Sequence, residues 1–128
     1  MEKTARVLVI DDDDAVLDLL RQKLSPHFSV VTTDDSRKVV DVARANKPDV
    51  ILCDIDMPHM NGGEVAAALQ KVAALAGIPV VFMTNVLSPS EVQGLGGVVG
   101  GHRSISKRAP IADLIAGIRA SMAPATRG

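Results

Sequence analysis

The chain contains no tryptophan, no tyrosine and only two phenylalanines, Phe28 and Phe82. An interior with so few rings has to be built from aliphatic side chains, and binding that depends on stacking nucleobases or sugars against aromatic residues is not expected. Cysteine is almost absent as well, since Cys53 has no second cysteine with which to form an internal disulfide. This favours a reducing compartment, and we expect Cys53 to be a small buried apolar residue.

Long apolar runs and a strong charge of one sign are also missing. Lysine and arginine number 14 against 15 aspartates and glutamates, so the net charge gives no support for nonspecific binding to nucleic acid. No apolar stretch approaches the roughly 18 residues that would suggest a membrane span, and the first short one leads into four aspartates, unlike a signal peptide. The sequence therefore predicts a cytoplasmic protein.

The 128 residues suffice for one domain with its own core, since 47% are hydrophobic. We place this domain at residues 1–122 and interpret residues 123–128 as a tail or the start of a linker. Within the domain, short runs rich in β-branched residues alternate with helical patterns, which predicts an α/β fold with a parallel sheet. Five strands are predicted, at residues 6–10, 28–32, 50–53, 79–83 and 99–105.

Helical patterns occupy the segments between and after these strands. The first places Val16, Leu20 and Leu24 on one face and ends before Pro26. Three more are predicted at residues 36–46 with Ser36 as the cap, at 63–76 before Gly77, and at 110–122. Between the last two strands, five glycines crowd residues 94–101, and each interior glycine costs a helix about 0.5–1 kcal/mol. We expect a short or mobile element there.

Polar side chains follow the predicted strands at their carboxyl ends. In a parallel sheet these ends lie along one edge, where Asp11, Asp12, Asp54, Thr84 and Lys107 would meet. Three neighbouring carboxylates repel one another unless a cation or a shared proton compensates, and such hard oxygen ligands suit Mg²⁺. A hydroxyl and an ammonium group on the same edge would complete a pocket for a phosphoryl group, with Asp54 as the natural nucleophile. Taken singly, Thr84 and Lys107 would be ordinary strand and surface residues.

Other polar residues have simpler explanations. Asp13 and Asp14 stand at the start of the first helix, where acidic residues cap amide groups and favour the positive end of the helix dipole. His27, His59 and His102 lack the spacing of metal ligands, so we assign them no metal role.

The run DIDMPHMNG, residues 54–62, resembles the phosphorylation loop of bacterial response-regulator receiver domains of the CheY-like superfamily. The resemblance extends from Arg6 to Met122: an acidic pair follows the first strand, an aspartate the third and a threonine the fourth, and a lysine precedes the last helix. It implies the flavodoxin-like (βα)5 fold, a three-layer α/β sandwich whose parallel five-stranded sheet has the order 2-1-3-4-5.

The resemblance also assigns roles to the residues of the site. Asp54 would be the phosphoacceptor, Thr84 would hydrogen-bond the incoming phosphoryl group and Lys107 would pair with another of its oxygens. The cofactor would be Mg²⁺, bound directly by Asp12, through water by Asp11, and also by Asp54 and the backbone carbonyl of Asp56.

The function implied is that of a phosphoacceptor module in a two-component phosphorelay. A histidine kinase or histidine phosphotransfer protein would donate the phosphoryl group, and phosphorylation would switch the binding of an output partner. The chain would promote only its own phosphorylation and dephosphorylation, so it is interpreted as a signalling phosphoacceptor and not as an enzyme. Neither nucleic acid nor membrane is expected as a direct partner.

Three positions depart from the usual family pattern. Arg108 follows Lys107 where the family usually has proline, Ser104 stands where it usually has Tyr or Phe, and Asn85 follows Thr84 in place of alanine. The absence of proline after Lys107, the absence of an aromatic residue at position 104 and the glycine-rich segment favour an alternative, a degenerate receiver that binds partners without phosphotransfer. The intact acidic residues, Thr84 and Lys107 oppose it.

A second alternative is a phosphatase, because Asp54-Ile55-Asp56 also resembles the nucleophile motif of haloacid-dehalogenase-type hydrolases. That family places the motif after its N-terminal strand and its paired acids late in the chain. The order here is the reverse.

Overall fold

The computed structural model describes residues 5–55, 57, 60–84, 87–96, 98–99 and 102–122. Its centre is a six-stranded sheet in the order β2-β1-β3-β4-β6-β5. The strands are β1 (Arg6–Ile10), β2 (Ser29–Thr33), β3 (Val50–Asp54), β4 (Val80–Thr84), β5 (Val98–Val99) and β6 (His102–Ser106). Every pairing is parallel except that of β5 with β6. With β6 as the fifth parallel strand, this confirms the order 2-1-3-4-5.

Helices cover both faces of the sheet. They are α1 (Asp14–Leu24), α2 (Val39–Asn46), α3 (Gly62–Gln70), α4 (Pro89–Gly94) and α5 (Ile111–Met122), with a 3-10 turn at Ser36–Lys38 before α2. The longest helix in the described part of the chain, α5, has 12 residues, whereas crossing a bilayer takes about 20, and none of these helices meets that requirement.

Two layers of aliphatic side chains, one on each face of the sheet, form the core. Alternate strand residues point to opposite faces, so Val7 and Val9 pack towards α1 and α5, while Leu8 and Ile10 pack towards α2 and α3. Strands buried on both faces need continuous apolar runs, which is why β1 and β3 read as unbroken apolar sequence up to their carboxyl ends. This arrangement confirms the predicted three-layer sandwich.

The prediction of a single strand at residues 99–105 is wrong. Val98 and Val99 pair in the antiparallel direction with Arg103 and His102, so the segment forms a hairpin, and the parallel strand extends to Ser106. The prediction also misplaced ends of β2, β3 and β4, each of which continues one residue further than expected. Asp54 and Thr84 are therefore the last residues of their strands and not the first of their loops.

The third helix was predicted to continue to Ala76 but ends at Gln70. Successive turns follow, in which the Val72 amide donates to the Leu69 carbonyl and the Leu75 amide to the Val72 carbonyl. In a continuous helix, Leu69 and Leu75 would lie about 120° apart around the axis. The turns instead bring both side chains into the core, so burial outweighs the helix propensity of the alanines.

The predicted cap at Ser36 is also wrong by one residue. Asp35 caps the 3-10 turn, with its Oδ1 accepting the amide proton of Arg37 at 2.9 Å, and the Ser36 residue is buried. The six-residue α4 ends at Gly94, where the glycine-rich segment begins, so the helix there is short as expected.

Candidate functional site

The acidic turn after β1 places one carboxylate inside the protein and one at its surface. Asp11 is fully buried and Asp12 is exposed. The Asp11 Oδ1 atom accepts the amide proton of Asp13 at 3.0 Å, and the Asp13 side chain in turn caps α1 by accepting the amide proton of Ala15 at 2.9 Å. This confirms Asp13 as the helix cap, with Asp14 in the first turn.

Asp54 joins these two residues from the neighbouring strand. It ends β3 and is buried, because β3 lies between β1 and β4 in the sheet. One carboxylate oxygen from each of Asp11, Asp12 and Asp54 can be chosen so that all three atoms lie within 4.8 Å of one another. The structure therefore brings together the three carboxylates that the sequence places at separate strand ends.

Lys107 reaches these carboxylates from the turn after β6. Its Nζ atom lies 2.7 Å from Asp11 Oδ2 and 3.3 Å from Asp54 Oδ1, and only 17% of its side chain is exposed. Burial alone would lower the pKa of Lys107, but the contact with Asp11 and the negative charges of Asp11 and Asp54 outweigh it, so the pKa is raised. The ammonium form is thus held between two of the three carboxylates.

Thr84 completes the group of polar residues. It is the last residue of β4, is buried, and lies beside Ser106 in the register of the two strands. Its backbone carbonyl accepts the amide proton of Lys107 at 2.7 Å. All five residues predicted to meet at one edge of the sheet, Asp11, Asp12, Asp54, Thr84 and Lys107, lie at the carboxyl ends of adjacent strands.

The loop after Asp54 is closed by backbone contacts at its base. The Ile55 carbonyl accepts the amide proton of Gly62 at 2.8 Å. A Cβ atom on Gly62 would lie 2.8 Å from Phe82 Cε1 and 3.1 Å from the Ile55 Cα, so a larger residue would not fit without movement. Asp56, whose backbone carbonyl was assigned to the metal, lies outside the described residues.

Ser106 is a polar residue of this region that the sequence analysis did not single out. It is buried at the end of β6, and its Oγ accepts the amide proton of Arg108 at 3.1 Å. Ser106 and Lys107 also line a cleft of about 450 Å³ between α1 and the start of α5. A hydroxyl directly before Lys107, at the end of a strand, was the signal that could have revealed it.

The remaining predicted roles concern residues outside the site. Cys53 is fully buried, as expected for an apolar role, and burial, followed by the charges of Asp54 and Asp11, raises the pKa of its thiol to about 12. His27 is exposed before β2. His59 and Asn85 lie outside the described residues.

Comparisons with known proteins agree with this arrangement. The sequence profile of the response regulator receiver domain family matches residues 7–119. The chain is similar to the response regulator MprA of Mycolicibacterium vanbaalenii, with 34% identity over 117 residues that cover 90% of this chain and 49% of MprA. It is also similar to the protein PilH of Pseudomonas aeruginosa, with 37% identity over 82 residues that cover 63% of this chain and 68% of PilH. The chain thus spans about half the length of MprA.

Solved structures with the same fold include the chemotaxis protein CheY4 of Vibrio cholerae. The TM-score is 0.78 at 26% sequence identity, and the alignment covers 93% of this chain and 99% of CheY4. The profile match extends over most of the chain, and the strand order is the one expected for this fold. The chain therefore belongs to the response regulator receiver domain family, the signalling modules of two-component systems.

Proposed function

We propose that this chain accepts a phosphoryl group on Asp54 and thereby switches the binding of an output partner. The observation that carries the proposal is the position of the Lys107 ammonium group. It contacts Asp11 and Asp54, two of the three clustered carboxylates. The cluster offers a nucleophile, and the lysine offers a positive charge for the oxygens of a transferred group. We take residues 1–122 as the functional domain and residues 123–128 as a tail or linker.

The carboxylates suit a magnesium ion. One oxygen from each of the three carboxylates lies within 4.8 Å of the other two, and clustered carboxylate oxygens are hard ligands of the kind that Mg²⁺ prefers. We assign direct binding to Asp12, water-mediated binding to Asp11 and further contacts to Asp54 and the Asp56 carbonyl. A bound Mg²⁺ would neutralise negative charge on the carboxylates and on the phosphoryl oxygens.

The residues of the chain then have distinct tasks. A carboxylate oxygen of Asp54 bonds to phosphorus while the phosphorus–nitrogen bond of the donor histidine breaks, and the electron pair of that bond returns to the imidazole ring. The Thr84 hydroxyl donates to one phosphoryl oxygen and the Lys107 ammonium pairs with another. Each is anchored at the end of a strand, so the site is prepared before the donor arrives.

Phosphorylation adds roughly 1.5–2 negative charges to a buried position at the end of β3, next to β4 and in contact with Lys107, which follows β6. Pulling Thr84 and Lys107 towards that charge would bias the elements next to them, and α4, with six residues, has little structure to resist a shift. We therefore place the output surface on the face formed by α4, β6 and α5. The donor is a cytoplasmic histidine kinase or histidine phosphotransfer protein.

The alternative is a receiver that binds partners without phosphotransfer. One observation favours it: Ser104 is buried where the resemblance leads one to expect an aromatic ring, so the aromatic part of the usual switch is missing. The two proposals differ in whether Asp54 is modified at all.

Intact mass spectrometry separates these proposals. The chain is incubated with an acyl phosphate and Mg²⁺, and we expect the mass to rise by one phosphoryl group. The Asp54→Asn variant should gain nothing, whereas Asp41→Asn, which removes an exposed carboxylate on α2, should be phosphorylated like the original chain. An unchanged mass for the original chain would favour the interaction-only receiver, and phosphorylation of Asp54→Asn would remove Asp54 from its role.

A further inference from the structure

We propose that Ser106 is a positioning residue that fixes the turn from which Lys107 reaches the carboxylates; this rests on the proposed function, in which Lys107 stabilises the phosphoryl group. The hydrogen bonds of Ser106 on either side of Lys107 lie within the turn itself, to the amide groups of Arg108 and Ala109. Its effect would pass entirely through Lys107.

Hydrogen bonds hold the backbone on either side of Lys107. The Lys107 amide donates to the Thr84 carbonyl at 2.7 Å, and the next amide, that of Arg108, donates to the Ser106 hydroxyl at 3.1 Å. The Ser106 carbonyl also accepts the amide proton of Ala109 at 3.0 Å. Both peptide groups that flank the Lys107 Cα atom are therefore held, one by the sheet and the other by Ser106.

The restrained backbone also limits the conformations of the Lys107 side chain. Lysine has a long flexible stem, and holding its ammonium group in one place costs rotamer entropy. The Nζ atom of Lys107 nevertheless contacts two carboxylates at once, and only 17% of the side chain is exposed. A fixed Cα position reduces the number of conformations from which that double contact has to be found.

The residue after Lys107 is arginine, where the family usually has proline. Proline, the usual family residue there, restrains its own backbone through its ring but has no amide proton. Arg108 lacks the ring and keeps the proton, and it is this proton that the Ser106 hydroxyl accepts. The hydrogen bond between Ser106 and Arg108 thus restrains a turn that carries no proline ring after its lysine.

The test compares three variants with the original chain. Ser106→Ala removes the acceptor, and Ser106→Thr keeps a hydroxyl at the same position. Ser104→Ala is the matched control, because Ser104 is equally buried on the same strand and lies two residues before Ser106. Phosphorylation by an acyl phosphate is followed at saturating Mg²⁺, together with Mg²⁺ affinity by calorimetry.

We expect Ser106→Ala to slow phosphorylation about three- to tenfold, the effect of one hydrogen bond, while Mg²⁺ affinity stays equal to or slightly above that of the original chain, because a less firmly held ammonium group competes less with the metal. Ser106→Thr should restore the rate, and Ser104→Ala should match the original chain. An unchanged rate in Ser106→Ala, equal slowing in Ser104→Ala, or failure of Ser106→Thr to restore the rate would each overturn the proposal.

A second readout does not depend on phosphorylation. In the original chain, the two protons on the Cε atom of Lys107 should give separate NMR signals, because the side chain is held in an asymmetric environment. Ser106→Ala should merge them and Ser106→Thr should keep them apart. If the original chain takes up no phosphoryl group, the proposed function fails, and these signals still decide whether Ser106 positions Lys107: signals that stay separate in Ser106→Ala would refute it.

Discussion

The amide of Lys107 donates to the carbonyl of Thr84 at 2.7 Å, which joins the residue carrying the ammonium group to the residue carrying the hydroxyl. The two lie at the ends of neighbouring parallel strands, β6 and β4. A displacement of either strand end therefore moves both groups relative to Asp54. In the proposed function, phosphorylation of Asp54 would therefore act on both strand ends together.

Removing the Lys107 charge should strengthen cation binding and weaken the fold. In Lys107→Ala, the carboxylates of Asp11 and Asp54 lose the ammonium group that lies within 3.3 Å of each. We expect Mg²⁺ to bind several-fold more tightly, because no internal cation competes with it, and the metal-free protein to lose about 1–3 kcal/mol of unfolding free energy. Calorimetry and denaturant unfolding measure the two effects.

Lys71→Ala is the control for this experiment, since Lys71 is an exposed lysine after α3. It should change neither quantity. Added Mg²⁺ should recover most of the stability lost in Lys107→Ala. Equal Mg²⁺ affinity in Lys107→Ala and the original chain would contradict the competition between ammonium and metal.

Neutralising Asp12 should weaken Mg²⁺ binding. Asp12→Asn removes one charged ligand from the cluster while the exposed position of the residue limits any cost to folding. We expect the dissociation constant to rise about tenfold or more. Asp18→Asn makes the same charge change at an exposed position on α1 and should leave it nearly unaltered. Similar losses in both variants would indicate a general electrostatic effect in place of a ligand at Asp12.

The parallel sheet and the carboxylate cluster could be predicted because both depend on local patterns. Strands buried on two faces require apolar runs, and those runs stop abruptly at Asp11 and Asp54. The partners of Lys107 were harder to predict from the sequence, because its contact with Asp11 joins residues near opposite ends of the chain. The resemblance to receiver domains paired Lys107 with a phosphoryl oxygen and did not predict an ion pair to the buried Asp11.

The errors in the predicted elements come from tertiary packing. The alanine-rich sequence after Gln70 favours a helix locally, but the burial of Leu75 requires turns. Similarly, β-branched residues at 98 and 99 suggest a strand without revealing its direction, and the pairing of Val99 with His102 makes it antiparallel. In both cases the deciding energy lies in contacts that the local sequence does not specify.

Gly62 should be intolerant of a side chain. A Cβ atom there would be 2.8 Å from Phe82 Cε1 and 3.1 Å from the backbone of Ile55, so Gly62→Ala must displace the ring or the loop that follows Asp54. We expect a loss of about 1–3 kcal/mol of unfolding free energy, measured by denaturant titration. At Gly77 an added Cβ would have no atom within 4 Å, so Gly77→Ala should be neutral or slightly stabilising. A stable Gly62→Ala would show that Phe82 can move aside at little cost.

Because the pKa of the Cys53 thiol is raised, we expect the unfolding free energy of the protein to depend on pH in the alkaline range. Burial, followed by the charges of Asp54 and Asp11, raises its pKa from an ordinary 9.0 to about 12. Because the folded state then holds the proton more tightly than the unfolded state, the stabilisation is complete below pH 9 and declines as the pH rises towards 12.

The metal-free chain and Cys53→Ala should therefore diverge in this range. The unfolding free energy of the original chain should fall more steeply, by up to about 1.4 kcal/mol per pH unit relative to the variant. Lys107 titrates in the same direction in both proteins and cancels in the difference. The chain has no tyrosine, so the ultraviolet absorbance of the thiolate can be followed directly, and its appearance near pH 9 in the folded protein would contradict the raised pKa.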